Sequence, residues 1–379
     1  MFNQTNPEEA RYLAELILSI IGVIVLLSLA LYLINKSKKK DEIKPEVKQA
    51  SRPKARGSIE PFSLATRNNS SAPEKSRLLK SLSNAFTTWQ KDHLLAGDDG
   101  KSLFIREGVE KSGLRYQLLA TTQTQALAML VTTLLADHDS NASEKTEALF
   151  ASLLAHPAYG EPNLSSWKFM PDLPRSPRLE ADLQAEGWVL IALLTARRQW
   201  PDLDRFNYDE ILKGRLGALF EAFHRPESQE LLAHSAFLFS FLTKYDPSQD
   251  WASLKSLANS AGKVFPQPDD PKDFAFSCLN LGLDALLFKD DTSIKLLSDK
   301  QTVTREMVEH WLYESSSLSE NVDGFSRLSL LACMAPALIV LRDDELLEKT
   351  QDFLINTNAD KNEGLGATMK VFALFLLSN

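Results

Sequence analysis

Cysteine is nearly absent: Cys278 and Cys333 are the only two in 379 residues. That excludes a disulfide framework and a four-cysteine zinc site. The six histidines fall in no HExxH or Cys-x-x-Cys arrangement, so neither a metal site nor a cofactor is expected. Positive charge is not in excess either. Lys and Arg number 42 against 50 Asp and Glu, for a formal charge of -8, which argues against a nucleic-acid partner. Strand-like alternation nowhere runs long enough to compete with helix. What is present is apolar bulk. Apolar residues make up 44% and charged residues 24%, enough to bury a core in one large domain or two ordinary ones.

The longest apolar run is near the start. Residues 16–34 read LILSIIGVIVLLSLALYLI without a charge. As a helix they extend about 28 Å, close to the hydrocarbon thickness of a bilayer. A signal peptide fits less well, because the preceding residues include Glu8, Glu9 and Glu15. A single-pass inner-membrane anchor is therefore expected. Lys36, Lys38, Lys39 and Lys40 follow it directly, which favours a cytoplasmic body, with a periplasmic body as the alternative. Residues 35–75 are rich in Lys, Glu, Ser, Asn and Pro and read as a flexible linker. Pro61 and Phe62 are a possible docking element within it. The expected organisation is a flank at 1–15, an anchor at 16–34, a linker at 35–75 and a folded body at 76–379.

The body reads as about twelve helices. Residues 78–95, 122–138, 143–157, 180–200, 208–223 and 229–243 carry apolar groups at three- and four-residue spacing, as do 250–261, 274–288, 302–313, 325–341, 343–356 and 365–377. Some segments are apolar nearly all round and others carry one stripe. A double-layered ring of inner and outer helices produces that mixture. No fixed repeat period is found.

Four segments resemble the α/α-toroid glycoside hydrolases of family 8, which include the endoglucanase of bacterial cellulose synthesis. They are Trp89 with Asp99-Gly100; Thr122-Gln123-Thr124-Gln125-Ala126-Leu127-Ala128-Met129; Trp167-Lys168 with Gln184-Ala185-Glu186 and the helix ending in Trp200; and Leu283-Asp284-Ala285-Leu286-Leu287. The resemblance implies an (α/α) toroid or incomplete barrel. It also implies a glutamic acid proton donor where this chain has Gln123. The first Asp of an Asp-x-Asp pair is Gln184 here, the second is Glu186, and a cleft arginine is Leu287. An amide cannot deliver a proton to a leaving oxygen.

The expected function is accordingly a membrane-anchored, non-catalytic scaffold or accessory subunit in envelope polysaccharide or surface-appendage assembly. Its expected partners are the inner membrane, other membrane or envelope-assembly proteins and a polysaccharide chain. The alternative is an active endo-acting glycoside hydrolase with relocated carboxylates. Asp182 and Glu186, four residues apart on one helix face, are the candidates for that chemistry, with Asp172 and Glu180 nearby. Arg106, Glu107 and Glu110 read as surface groups. Trp167 and Tyr116 are candidates for stacking on sugar. Trp188, Trp200 and the two cysteines read as core.

Overall fold

Polar side chains cap several of the helix starts. Asp182, Asn207, Asp270, Asp290, Ser326 and Asp343 each accept a backbone N–H of the turn that follows. The computed structural model describes residues 60–62, 72–112, 115–171, 177–203, 205–232, 234–261, 270–313 and 325–378. The helices there are α1 (Ala72–Asp92), α2 (Thr122–Leu134), α3 (Ala142–Ala155), α4 (Leu183–Gln199), α5 (Tyr208–Phe223), α6 (Gln229–Leu232) and α7 (Ala236–Tyr245). They continue as α8 (Trp251–Ala261), α9 (Pro271–Leu283), α10 (Asp291–Asp299), α11 (Gln301–Tyr313), α12 (Arg327–Leu341), α13 (Asp344–Asn356) and α14 (Gly364–Ser378). All of them lie within the compact unit Pro53–Asn379.

Six helices form a closed inner ring. In order around it, α2 packs on α4, α4 on α7, α7 on α9, α9 on α12, α12 on α14, and α14 back on α2. The others lie outside: α1 against α14, α3 against α2, α5 against α4, α8 against α7, and α10, α11 and α13 against α9, α12 and α14. The two layers explain the two sequence patterns. Inner helices are enclosed on every side, and in α14 nearly every residue is buried. Outer helices bury one stripe, as α1 does with Leu78, Leu82, Phe86 and Trp89. Two glycines permit the tightest approaches in the ring. A Cβ on Gly187 of α4 would stand 2.5 Å from Leu238 of α7, and one on Gly282 of α9 would stand 2.5 Å from the backbone of Ala337 in α12.

Three sequence expectations are corrected. First, short strands do occur: β1 (Leu94–Ala96), β2 (Leu103–Ile105), β3 (Gly108–Ser112), β4 (Arg115–Thr121) and β5 (Lys168–Phe169). β1 pairs with β2, and β3, β4 and β5 form a second small antiparallel sheet. Strands of two to seven residues are too short to leave an alternation that stands out in the sequence. Second, the helix α10 was not expected, because its nine residues are mostly polar and bury only Ser293 and Leu297.

The third correction concerns the membrane. Among the described residues no helix is long and apolar enough to cross one. The two most continuously apolar helices, α12 and α14, have 15 residues each, about 22 Å of rise against the roughly 30 Å a span requires. Their all-round apolar character is met by the neighbouring helices of the ring. Residues 16–34 lie outside the described residues. The fold is therefore an all-α body with small sheets, and the expected transmembrane helix is withdrawn from it. The inner-membrane partner and the single-pass location, with the body cytoplasmic or periplasmic, are withdrawn with it.

Residues 60–62 sit in the core. Phe62 is 1% exposed, with ring centroids 6.3 Å from Phe237, 6.4 Å from Phe241 and 6.2 Å from Phe372. It thus fills space among the inner helices α7 and α14. The rest of the expected linker up to residue 71 lies outside the described residues.

Candidate functional site at the N-terminal face of the ring

The inner helices present their N-termini at one face, and two loops cover part of it. One runs from α3 to β5 and the other leads into α4. They are stitched together by Tyr159 N–H to the Leu179 carbonyl at 2.8 Å and Trp167 N–H to the Glu180 carbonyl at 3.0 Å. The first loop is tied to α2 by Thr122 N–H to the Trp167 carbonyl at 3.0 Å and by Thr122 Oγ1 to the Ser166 carbonyl at 2.6 Å. An open depression of about 550 Å³ results, lined by Tyr159, Trp167, Arg178, Leu179, Glu180, Ala181 and Asp182. Tyr159 is 72% and Trp167 43% exposed. Lys168 Nζ stands 5.3 Å from the Trp167 ring centroid. Two exposed aromatic faces among charged hydrogen-bonding groups suit a ring that is apolar on its face and hydroxylated at its edge.

Beside the depression the ring is closed. Gln184, Trp188 and Ile191 meet His234, Ser235, Leu238 and Asn280 around a crevice of about 10 Å³, room for roughly one water. His234 Nδ1 and Ser277 Oγ are 2.7 Å apart at its edge. A crevice of that size admits nothing larger than a water between these side chains.

The sequence candidates separate in space. Gln123, in the first turn of α2, and Gln184, in the first turn of α4, are half-buried at this face. Leu287 is at the other end: it follows the C-terminus of α9, in the turn Asp284–Phe288, and is buried. The structure does not bring it to Gln123 and Gln184. Asp182 lines the depression while its Oδ1 accepts from Gln184 N–H at 2.9 Å and Ala185 N–H at 3.1 Å. Glu186 is fully buried. Its carboxylate takes Arg215 Nη1 at 2.6 Å and Ser165 N–H at 2.7 Å. Burial pushes its pKa up against the opposing pull of Arg215 and Ser165. That pair joins α4 to α5 behind the face, and Glu186 turns no atom toward the depression. Tyr116 belongs to β4, opposite Lys111 of β3. Asp172 lies outside the described residues.

Glu107, which the sequence reads as a surface group, is partly buried here. It precedes β3, and its N–H donates to the Leu119 carbonyl at 2.8 Å. Its Oε1 accepts from Thr121 Oγ1 at 2.7 Å. Thr121 is the N-cap of α2 and accepts from Thr124 N–H, so the carboxyl is anchored one residue from the α2 segment that carries Gln123. Burial pushes the Glu107 pKa up to about 7, against the pull of Thr121 and of Lys272 from the start of α9. The signal in the sequence was the Glu107–Thr121 pairing across a hairpin, and it was hidden because the strands are short. Among the described residues no group of His, Cys, Asp and Glu side chains is assembled that could hold a metal ion.

No family model matches the chain. An endoglucanase of Bacillus sp. (strain KSM-330) is 26% identical over 135 residues, which is 35% of this chain and 29% of that protein. The alignment thus spans less than a third of the relative. Two solved structures align nearly end to end, each at 14% identity. They are the β-1,3-1,4-glucanase of Paenibacillus sp. X4, with a TM-score of 0.62 over 86% of this chain and 96% of that one, and a cold-adapted family 8 xylanase, with 0.61 over the same shares. The body therefore has the all-α fold of glycoside hydrolase family 8. The expected membrane-anchored scaffold is replaced on two findings: no described helix can cross a membrane, and the fold follows these hydrolases over most of its length.

Proposed function

We propose that the body is a glycoside hydrolase-type domain acting on a β-linked glucan or xylan chain laid across its N-terminal face. In this reading the family's proton donor is not retained at Gln123, and the acid chemistry sits on relocated carboxylates. Glu107 is the acid, since its raised pKa of about 7 leaves it protonated near neutral pH. Asp182 supplies the second carboxylate; its Oδ1 accepts from two backbone N–H groups at the α4 N-terminus, and the residue lines the depression. Tyr159 and Trp167 are the stacking surface. Glu186 is a structural group and no longer a candidate for the chemistry.

The observation that carries the reading is the position of Glu107, a carboxyl with a raised pKa tied to the N-cap of the helix that bears the family-like segment. Fold alone does not fix function, and the names of the similar proteins supply the substrate class. The test is release of reducing ends by the full chain from β-1,3-1,4-glucan, β-1,4-glucan and xylan. Release from at least one polymer is expected, with loss on changing Glu107→Gln and retention on changing Gln123→Ala. Binding of all three polymers without release would contradict the hydrolytic reading and leave a chain-binding domain.

A further inference from the structure

A second pocket lies between α1 and the α13–α14 turn and shares no lining residue with the N-terminal depression. It measures about 480 Å³, and Ser81, Asn84, Asp92, His93, Asn358 and Lys370 contribute its polar lining. Trp89 forms part of its wall and donates from Nε1 to Thr368 Oγ1 at 2.9 Å, which fixes α1 on α14.

Two buried polar groups in this lining lack matching partners. Lys370 is 8% exposed, and its Nζ donates to the Thr357 carbonyl at 2.6 Å. Among the described residues no carboxylate pairs with it, which leaves a buried cation without an opposite charge. Such a group is costly unless something neutralises it, and burial alone depresses its pKa. His93 is 3% exposed and its Nδ1 has no hydrogen-bond partner. Buried polar atoms are nearly always satisfied, so an exception in a pocket wall indicates a missing partner.

We propose that this pocket binds a small polyhydroxylated monoanion of the sugar-acid class. Its carboxylate meets Lys370, and its hydroxyls meet His93, Asp92 and Asn84. A single buried ammonium matches one negative charge. Asp92 in the same wall accepts from hydroxyls and disfavours a doubly charged phosphate. The volume is in the range of small-molecule sites and suits one hexose ring.

The test is calorimetric titration of the full chain with glucuronate, glucose and inorganic phosphate. Saturable binding of glucuronate is expected, at least tenfold tighter than glucose or phosphate. Lys370→Met should weaken it tenfold or more while the protein stays folded, because the variant removes an unpaired buried charge and keeps the side-chain length. Thr88→Trp, on the exposed rim of the pocket, should block it as well, and Trp167→Ala should leave it unchanged. Absence of saturable glucuronate binding, equal binding of glucose, tighter binding of phosphate, or an unaltered affinity in Lys370→Met would each overturn the proposal. Hydrolysis at the N-terminal face is read separately, so failure here does not bear on it.

Discussion

Glu186 and Arg215 meet at 2.6 Å with side chains 0% and 4% exposed. In water two charges lose little by separating. Here removal of one strands the other inside the protein. Glu186→Gln should therefore destabilise the fold by about 3–5 kcal/mol, read as a lowered urea midpoint at unchanged slope. A change below 1 kcal/mol accompanied by lost turnover would return Glu186 to the catalytic candidates. Glu107 has the opposite chemistry. Its folded pKa of about 7 stands above the ordinary 4.5. Below pH 4.5 both folded and unfolded chains hold the proton. Between 4.5 and 7 the folded state keeps a proton that the unfolded chain has released, so stability falls as pH rises through that window. The limit is about 1.4 kcal/mol per pH unit. Glu107→Gln should flatten the fall between pH 5 and pH 7.5, and an identical fall in both proteins would show that other buried carboxyls, such as Asp284 with its pKa raised to about 6, account for it. At this scale the sequence revealed residue types but not partners. Asp182 and Glu186 share a helix face, yet one caps that helix and the other faces an arginine 29 residues away.

The helices were legible because each must bury a face, and the caps and apolar spacing record where. The observed starts of α2 and α5 fall at Thr122 and Tyr208, the residues the spacing indicated. The hairpins between α1 and α2 were illegible: β1 and β2 have three residues each, and their pairing is held by contacts with the ring. Gln125 shows this, with Oε1 accepting from Ile105 N–H at 2.7 Å and Nε2 donating to the Leu103 carbonyl at 3.0 Å. Phe62 was expected in a linker and lies instead among Phe237, Phe241 and Phe372. Phe62→Ala should cost about 3–5 kcal/mol. A chain starting at Pro53 should accordingly melt higher than one starting at Ser76, and equal melting temperatures would show that the Phe62 contact contributes nothing in solution. Gly282→Ala should also destabilise, by about 1–3 kcal/mol, because the added methyl meets the α12 backbone at 2.5 Å. Unchanged thermal stability would mean that α9 and α12 can separate at little cost.

Across the whole molecule, a closed ring of enclosed helices with an outer layer accounts for both sequence patterns and for the likeness to family 8 structures at 14% identity. Such a core tolerates exchange of apolar residues as long as volume and pattern are kept, which is why fold outlasts sequence identity. The same enclosure gives apolar helices that serve packing inside protein. The chemistry is less tolerant, because an acid needs a carboxyl at one place. Gln123 lies in the first turn of α2, and Glu107 accepts from Thr121, the cap of that same helix. The most direct measurement is the pH dependence of kcat for glucan or xylan hydrolysis by the full chain and by its Glu107→Gln variant. The expected result is a loss of rate above about pH 7 in the unaltered protein and a kcat lower by about 10²–10⁴-fold in the variant. Equal turnover by the two proteins across the pH range, or no turnover by either, would contradict the assignment of the acid to Glu107.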